Sequence, residues 1–168
     1  MGENPVNVLV LCTGNSARSI LGEALLNLLG EGRVRAFSAG SKPKGEPHPG
    51  AVRLLARRGI DTAQFRSKSW NEFTGPAAPR IDIAITVCAN AAQEACPVFM
   101  GAPIKAHWGL ADPAEVTGSD AAVDAAFAET WQLLAALVHA LLALNFEAMD
   151  PKRLADALGQ IGQMDGAA

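Results

Sequence analysis

A short run of β-branched and apolar residues, Val6 to Leu11, passes directly into Cys12-Thr13-Gly14-Asn15-Ser16-Ala17-Arg18-Ser19. A strand this short and apolar is expected of a parallel sheet buried on both faces. Helical spacing follows at once, at Ile20, Ala24, Leu25, Leu28 and Leu29, with Gly30 and Gly32 as its stop. Strand, tight loop and helix in that order point to an α/β architecture.

The rest of the chain repeats the alternation. Val34 to Ser38 reads as a second strand, and Gly40 to Gly50, rich in Pro, Gly and Lys, as a loop. Ala51, Leu54, Leu55 and Arg58-Gly59 suggest a short helix with its glycine cap. Ile81 to Val87 is the clearest strand and delivers Cys88 at its end; Pro103 to His107 is one more short strand. Gly118-Ser119-Asp120 opens a long helix striped by Val123, Phe127, Trp131, Leu134, Leu137, Val138, Leu141 and Leu142. Asp150-Pro151 resembles an N-cap with a first-turn proline, opening a weaker helix with Leu154, Leu158 and Ile161 on one face. The expectation is a three-layer α/β fold, a mostly parallel four-stranded sheet with helices on both faces. One domain covers 1–146, and 147–168 forms a tail with a short helix rather than a second domain. Ligands in such sheets bind beyond the carboxyl ends of strands, where Cys12 and Cys88 both fall.

Composition narrows the function. At 168 residues, 49% apolar and a net charge of -3, the chain suits one soluble core and gives no sign of disorder or of a nucleic-acid surface. Met1-Gly2-Glu3-Asn4-Pro5 has no basic n-region, and the apolar stretch Leu133 to Leu144 is too short to span a bilayer. A cytoplasmic monomer without membrane contact is expected. The three cysteines are an odd number, which argues against a static disulfide framework and for reactive thiols. Any one of them taken alone reads equally as a small buried apolar residue.

The spacing C-x5-R between strand and helix gives the loop its chemistry. Successive backbone N–H groups of Thr13, Gly14, Asn15, Ser16, Ala17 and Arg18 can turn inward, and the helix N-terminus adds its positive end. Gly14 permits unusual backbone angles, and Asn15 tolerates a left-handed one. Arg18 offers a planar fork for two oxygens of a tetrahedral anion. The same field is expected to lower the Cys12 thiol from about 8.5, leaving it largely thiolate at neutral pH. Ser19 can donate a hydrogen bond to that sulfur.

The segment resembles the phosphate-binding loop of low-molecular-weight protein tyrosine phosphatases and of the arsenate reductases built on the same fold. The resemblance continues through Ser38-Ala39-Gly40, the strand ending at Cys88, and His107-Trp108-Gly109-Leu110-Ala111-Asp112-Pro113-Ala114. It implies Asp112 as general acid, although an Asp-Pro pair also forms turns. A tyrosine phosphatase of this fold has aromatic walls, including tyrosine just after its Asp-Pro; this chain has no tyrosine, and Ala114 follows Pro113. The segment Cys88 to Cys96 looks like the redox segment of the reductases. By that resemblance Cys12 forms a thiol–arsenate adduct, Cys88 attacks Cys12 and releases arsenite, and Cys96 then closes a Cys88–Cys96 disulfide. No tightly bound cofactor is implied; an external reductant, thioredoxin or glutaredoxin with glutathione, restores the thiols. Phosphate and sulfate would compete with arsenate.

A regular helix from 88 to 96 would hold the two Cα atoms about 12 Å apart, whereas a disulfide needs roughly 4.4–6.8 Å. A reduced-state helix that rearranges on oxidation is therefore expected. Some relatives bind potassium near the loop; Asn15, Glu23 and Ser38 fit that pattern, with Lys68 standing where an aspartate would, so no metal is expected. His48 reads as loop structure, His139 as a core histidine, and His107 with Trp108 as supports of the acid loop. The alternatives are a phosphomonoesterase of the phosphatase type and a non-catalytic oxyanion-binding redox sensor.

Overall fold

The computed structural model describes residues 5–88, 99, 101 and 103–163. Strands β1 (Val6–Cys12), β2 (Val34–Gly40), β3 (Ile83–Thr86) and β4 (Ile104–His107) pair in the order β2-β1-β3-β4, all parallel. The described α-helices are α1 (Arg18–Gly30), α2 (Pro49–Arg57), α3 (Asp120–Leu142) and α4 (Pro151–Ile161). The expected four-stranded parallel α/β sheet is the one found.

Strand order fixes where a ligand can sit. After β1 the chain lays β2 on one side and later β3 on the other, so the order reverses between β1 and β3. Such a switch leaves a crevice beyond the carboxyl ends. Leu11 pairs with Thr86, and the Val87 N–H donates to the Leu11 carbonyl at 2.9 Å. Cys12 and Cys88 therefore leave the sheet side by side.

Alternation along β1 divides the core. Val8, Val10 and Cys12 join Ile83, Ile85 and the apolar faces of α1 to α4, while Leu9 and Leu11 face Ala84, Phe73, Ile81 and Phe99. Among the described residues this second face is covered by the 3-10 turn Trp70–Phe73 and by Phe99. Each fully buried Leu or Ile contributes about 1.5–3 kcal/mol, so both faces matter to stability.

Several boundaries moved for local reasons. Helix α2 starts at Pro49 rather than Ala51, because His48 caps it: its Nδ1 accepts from the Gly50 N–H at 2.9 Å. Strand β3 is shorter than expected, since the Asp82 carboxylate takes the Asn7 N–H at 2.8 Å and ends the ladder there. Helix α3, at 23 residues, is by length and composition long and apolar enough to cross a membrane. Its Phe127, Trp131, Leu134, Leu137, Val138 and Leu141 are nonetheless buried in the core. His139 is exposed on the opposite face of α3, which corrects its assignment to the core. The helix expected within 89–95, and Cys96, lie outside the described residues.

Candidate active site

Strand β1 ends at Cys12 and helix α1 begins at Arg18, so the five residues between them must turn the backbone sharply. Asn15, which the sequence marked as tolerant of a left-handed backbone, adopts it at φ 46°, whereas Gly14 does not have a positive φ. Gly14 serves by having no side chain, since a Cβ there would lie 3.2 Å from Lys44 Cε. Gly40 does the same beneath the loop: a Cβ would collide with the carbonyl oxygens of Cys12 and Thr13.

Asn15 is fully buried, and its amide is fully engaged. Nδ2 donates to Ser19 Oγ at 2.8 Å and Ser38 Oγ at 3.0 Å, and Oδ1 accepts the Lys68 N–H at 2.8 Å. Ser38 in turn donates to Glu23 Oε1 at 2.6 Å, and the Lys68 ammonium lies 3.9 Å from the same oxygen. Burial pushes the Glu23 carboxyl up, against the pull of Ser38 and Lys68; burial pushes the Lys68 ammonium down, against the pull of Glu23. The residues expected around a cation thus come together, with a lysine among them. Among the described residues no three His, Cys, Asp or Glu gather as metal ligands.

Above this network lies a pocket of about 170 Å³, lined by residues 12–18 together with Lys42, Lys44, Cys88 and Asp112. That is below the ~300–1,000 Å³ of pockets that take drug-sized ligands, and it suits a small inorganic ion. Ala17, at the N-cap of α1, offers no side-chain cap, in contrast to His48, Ser119 and Asp150 on the other helices. The first N–H groups of α1 are thereby available to an anion.

Arg18 spends its fork partly on the acid loop. Nη1 donates to the Leu110 carbonyl at 2.7 Å, and Nη2 lies 3.4 Å from Asp112 Oδ2. Asp112 forms the turn that its Asp-Pro pair suggested, Oδ1 accepting the Ala114 N–H at 2.9 Å, and it also lines the pocket. Ser19 accepts from Asn15 and is not among the groups that act on Cys12.

Cys12 and Cys88 are both buried and line the same pocket, with Cys88 a hydrogen-bond partner of Cys12. Thr13 Oγ1 lies 3.7 Å from Cys88 Sγ. The bond to Cys88 and burial push the Cys12 thiol up, against the pull of Arg18 and the Gly14 N–H. This corrects the expectation of a thiolate at neutral pH, which counted the cations and the helix end but not a second thiol sharing the proton.

Lys42 and Lys44 were missed by the sequence reading. Their backbone N–H groups donate to the Thr13 and Gly14 carbonyls at 2.9 and 3.0 Å, which fixes both residues at the rim. Neither ammonium has an ion-pair partner among the described residues. Two lysines in a Pro-Gly loop directly after the Ser38-Ala39-Gly40 segment were the available signal. His48 is more than loop structure: its N–H donates to the Ser16 carbonyl at 2.8 Å, and its ring stacks on Phe127 at 5.0 Å.

Residues 7–154 match the model of the low molecular weight phosphotyrosine protein phosphatase family. The chain is 33% identical over 111 residues to an arsenate reductase of Halalkalibacterium halodurans, covering 66% of this chain and 76% of that one. It is 35% identical over 104 residues to arsenate reductase 1 of Staphylococcus epidermidis, covering 62% and 75%. The fold resembles the crystal structure of an arsenate reductase from Archaeoglobus fulgidus, with a TM-score of 0.59 and 26% identity, covering 79% of this chain and 98% of that one.

Two outcomes are expected. Cys88→Ala removes the largest influence holding the Cys12 proton, so iodoacetamide should alkylate Cys12 at pH 7 at least several-fold faster than in wild type. An unchanged or slower rate would contradict the shared proton. Lys42→Ala and Lys44→Ala should each weaken phosphate protection of Cys12 by about 3- to 10-fold and flatten its salt dependence; protection insensitive to both would remove the lysines from the site.

Proposed function

The chain belongs to the low molecular weight phosphotyrosine protein phosphatase family, and from that premise we infer that it is an arsenate reductase. The observation that carries this reading is the Cys88 thiol hydrogen-bonded to Cys12 inside the oxyanion pocket. A phosphatase needs one nucleophile and a water; a second thiol touching the first is what a two-electron reduction requires. The small pocket and the lysines at its rim favour a compact charged ion over an aryl phosphate, and the arsenate reductases it resembles support the same reading.

The proposed reaction uses the proton that Cys12 retains. Arsenate enters as a dianion, held by the loop N–H groups, Arg18 and the rim lysines. Cys12 Sγ forms a bond to arsenic as one As–O bond breaks. The thiol proton and the departing hydroxyl leave together as water, with Asp112 placed to pass the proton on. Cys88 Sγ then attacks Cys12 Sγ. The S–As bond breaks with its electron pair going to arsenic, As(V) becomes As(III), and the Cys88 proton leaves with arsenite. Cys88 lines the same pocket as Cys12, so its sulfur attacks from within the site. Cys96 attacks Cys88 and frees Cys12, and an external dithiol reduces the Cys88–Cys96 bond. A thiol relay of this kind works in a reducing compartment, which suits the cytoplasm.

Lys68 is assigned the charge that a bound cation would otherwise supply to Glu23. Replacing NaCl by KCl should then leave both Tm and kcat unchanged; a potassium-specific rise in either would contradict the assignment.

Coupling is tested by arsenate-dependent NADPH consumption with thioredoxin and its reductase, beside glutaredoxin with glutathione and its reductase. Turnover is expected with at least one system and should be abolished in Cys12→Ser, Cys88→Ser and Cys96→Ser. Reduction that survives loss of Cys88 and Cys96 would overturn the relay. Aryl phosphate cleavage with no arsenate turnover would favour the phosphatase.

A further inference from the structure

The C-terminal helix has no part in the reaction as described, yet it touches the segment that carries the acid. Trp108, four residues before Asp112, is 1% exposed, and its indole Nε1–H donates to the Leu158 carbonyl at 3.1 Å. That carbonyl lies in the last turn of α4 and also accepts the capping Gly162 N–H at 3.1 Å. Immediately after α4, Gly162 sits so close to β4 that a Cβ would collide with the His107 carbonyl and approach Trp108 Cδ1 to 3.2 Å. Leu154, Leu158 and Ile161 bury the inner face of the helix in the same core as Trp108. Leu158, Ile161 and Gly162 all lie beyond the residues that match the family model.

From Trp108 the connection runs to the pocket. The Trp108 N–H donates to Thr86 O at 2.7 Å and the Leu110 N–H to Val87 O at 3.2 Å, so this segment follows the end of β3 toward Cys88. The Leu110 carbonyl takes the Arg18 guanidinium, and Asp112 faces the same group. β4 is a four-residue edge strand, paired on one side only. Among the described residues α4 packs against β4, and at its end Leu158 meets the Trp108 indole and Gly162 the His107 carbonyl.

We propose that α4 is a strut for the catalytic acid: its last turn fixes Trp108, and Trp108 sets where Asp112 stands over Cys12. Trp108, Leu158 and Gly162 are positioning residues, and none touches the oxyanion. The proposal rests on the reading of Asp112 as the acid of an arsenate reductase. Binding of the anion rests mainly on the loop N–H groups and the lysines and meets the strut only through the Leu110 carbonyl on Arg18. Proton delivery depends on the strut, because a displacement of about 1 Å at a reacting group can cost on the order of 100-fold in rate.

The test is a double-mutant cycle on the full chain. Trp108→Phe keeps the ring and removes the donor; Gly162→Ala pushes the helix end from the strand without touching the indole nitrogen. Each is made alone and on Asp112→Asn, and arsenate kcat and phosphate protection of Cys12 are measured well below Tm. Each single variant should lose about 5- to 50-fold in kcat while phosphate protection changes less than about twofold. On Asp112→Asn the same substitutions should cost less than about twofold further, because the group they position is already gone. Equal losses in both backgrounds, or phosphate protection falling in step with kcat, would overturn the strut. So would an unchanged kcat in a folded Trp108→Phe; if that variant does not fold, Gly162→Ala decides by the same criteria. If the wild type turns over no arsenate, the functional reading fails, and the same cycle on aryl phosphate hydrolysis judges the strut separately.

Discussion

The buried amide of Asn15 is the constraint on which the site depends. A left-handed residue other than glycine costs about 1–2 kcal/mol, and here that conformation turns the loop inward at the end of β1. Three hydrogen bonds hold it, from the amide to Ser19 and Ser38 and from the Lys68 backbone. At a net ~0.5–1.5 kcal/mol each, they are enough to offset the strain. The network then runs through Ser38 to Glu23 and its lysine, so the floor of the pocket ends in a largely buried ion pair. Breaking one partner of such a pair costs more than the pair itself contributes. The shape of the loop is thus tied to α1, β2 and the 66–69 segment together.

Above that floor, charges are arranged in opposition. Arg18, two rim lysines and an uncapped helix end all favour anions, and Arg18 with the Gly14 N–H pulls the Cys12 thiol down. Cys88 and burial overrule them. A neutral thiol meeting a dianion avoids placing three negative charges in one small pocket, and it supplies the proton that the leaving oxygen needs. In the proposed reaction, the same hydrogen bond that raises Cys12 holds the next nucleophile beside it. Placing both cysteines at the β1/β3 switch serves both ends at once.

What could be read from the sequence was what depends on near neighbours in the chain. The strand, loop and helix around Cys12 carry their own signals, and so do the caps at Ser119 and Asp150. The placing of Cys12 and Cys88 at the carboxyl ends of two strands was legible, because each ends an apolar run. What failed depended on distant contacts. The sign of the Cys12 shift comes from a thiol on another strand, and Lys42 and Lys44 enter the site only through backbone bonds to Thr13 and Gly14. Arg18 was read as an anion fork, yet half of it holds Leu110, a partner no local pattern reveals. His139 lies in an apolar run, but the helical period turns it to solvent.

The central claim is that Cys12 and Cys88 together carry two electrons to arsenic. It is tested most directly by mass spectrometry of Cys96→Ser after one equivalent of arsenate, without external reductant. The account predicts a Cys12–Cys88 disulfide and one arsenite released per disulfide formed. Arsenate recovered unchanged, with both thiols still free to alkylate, would contradict it.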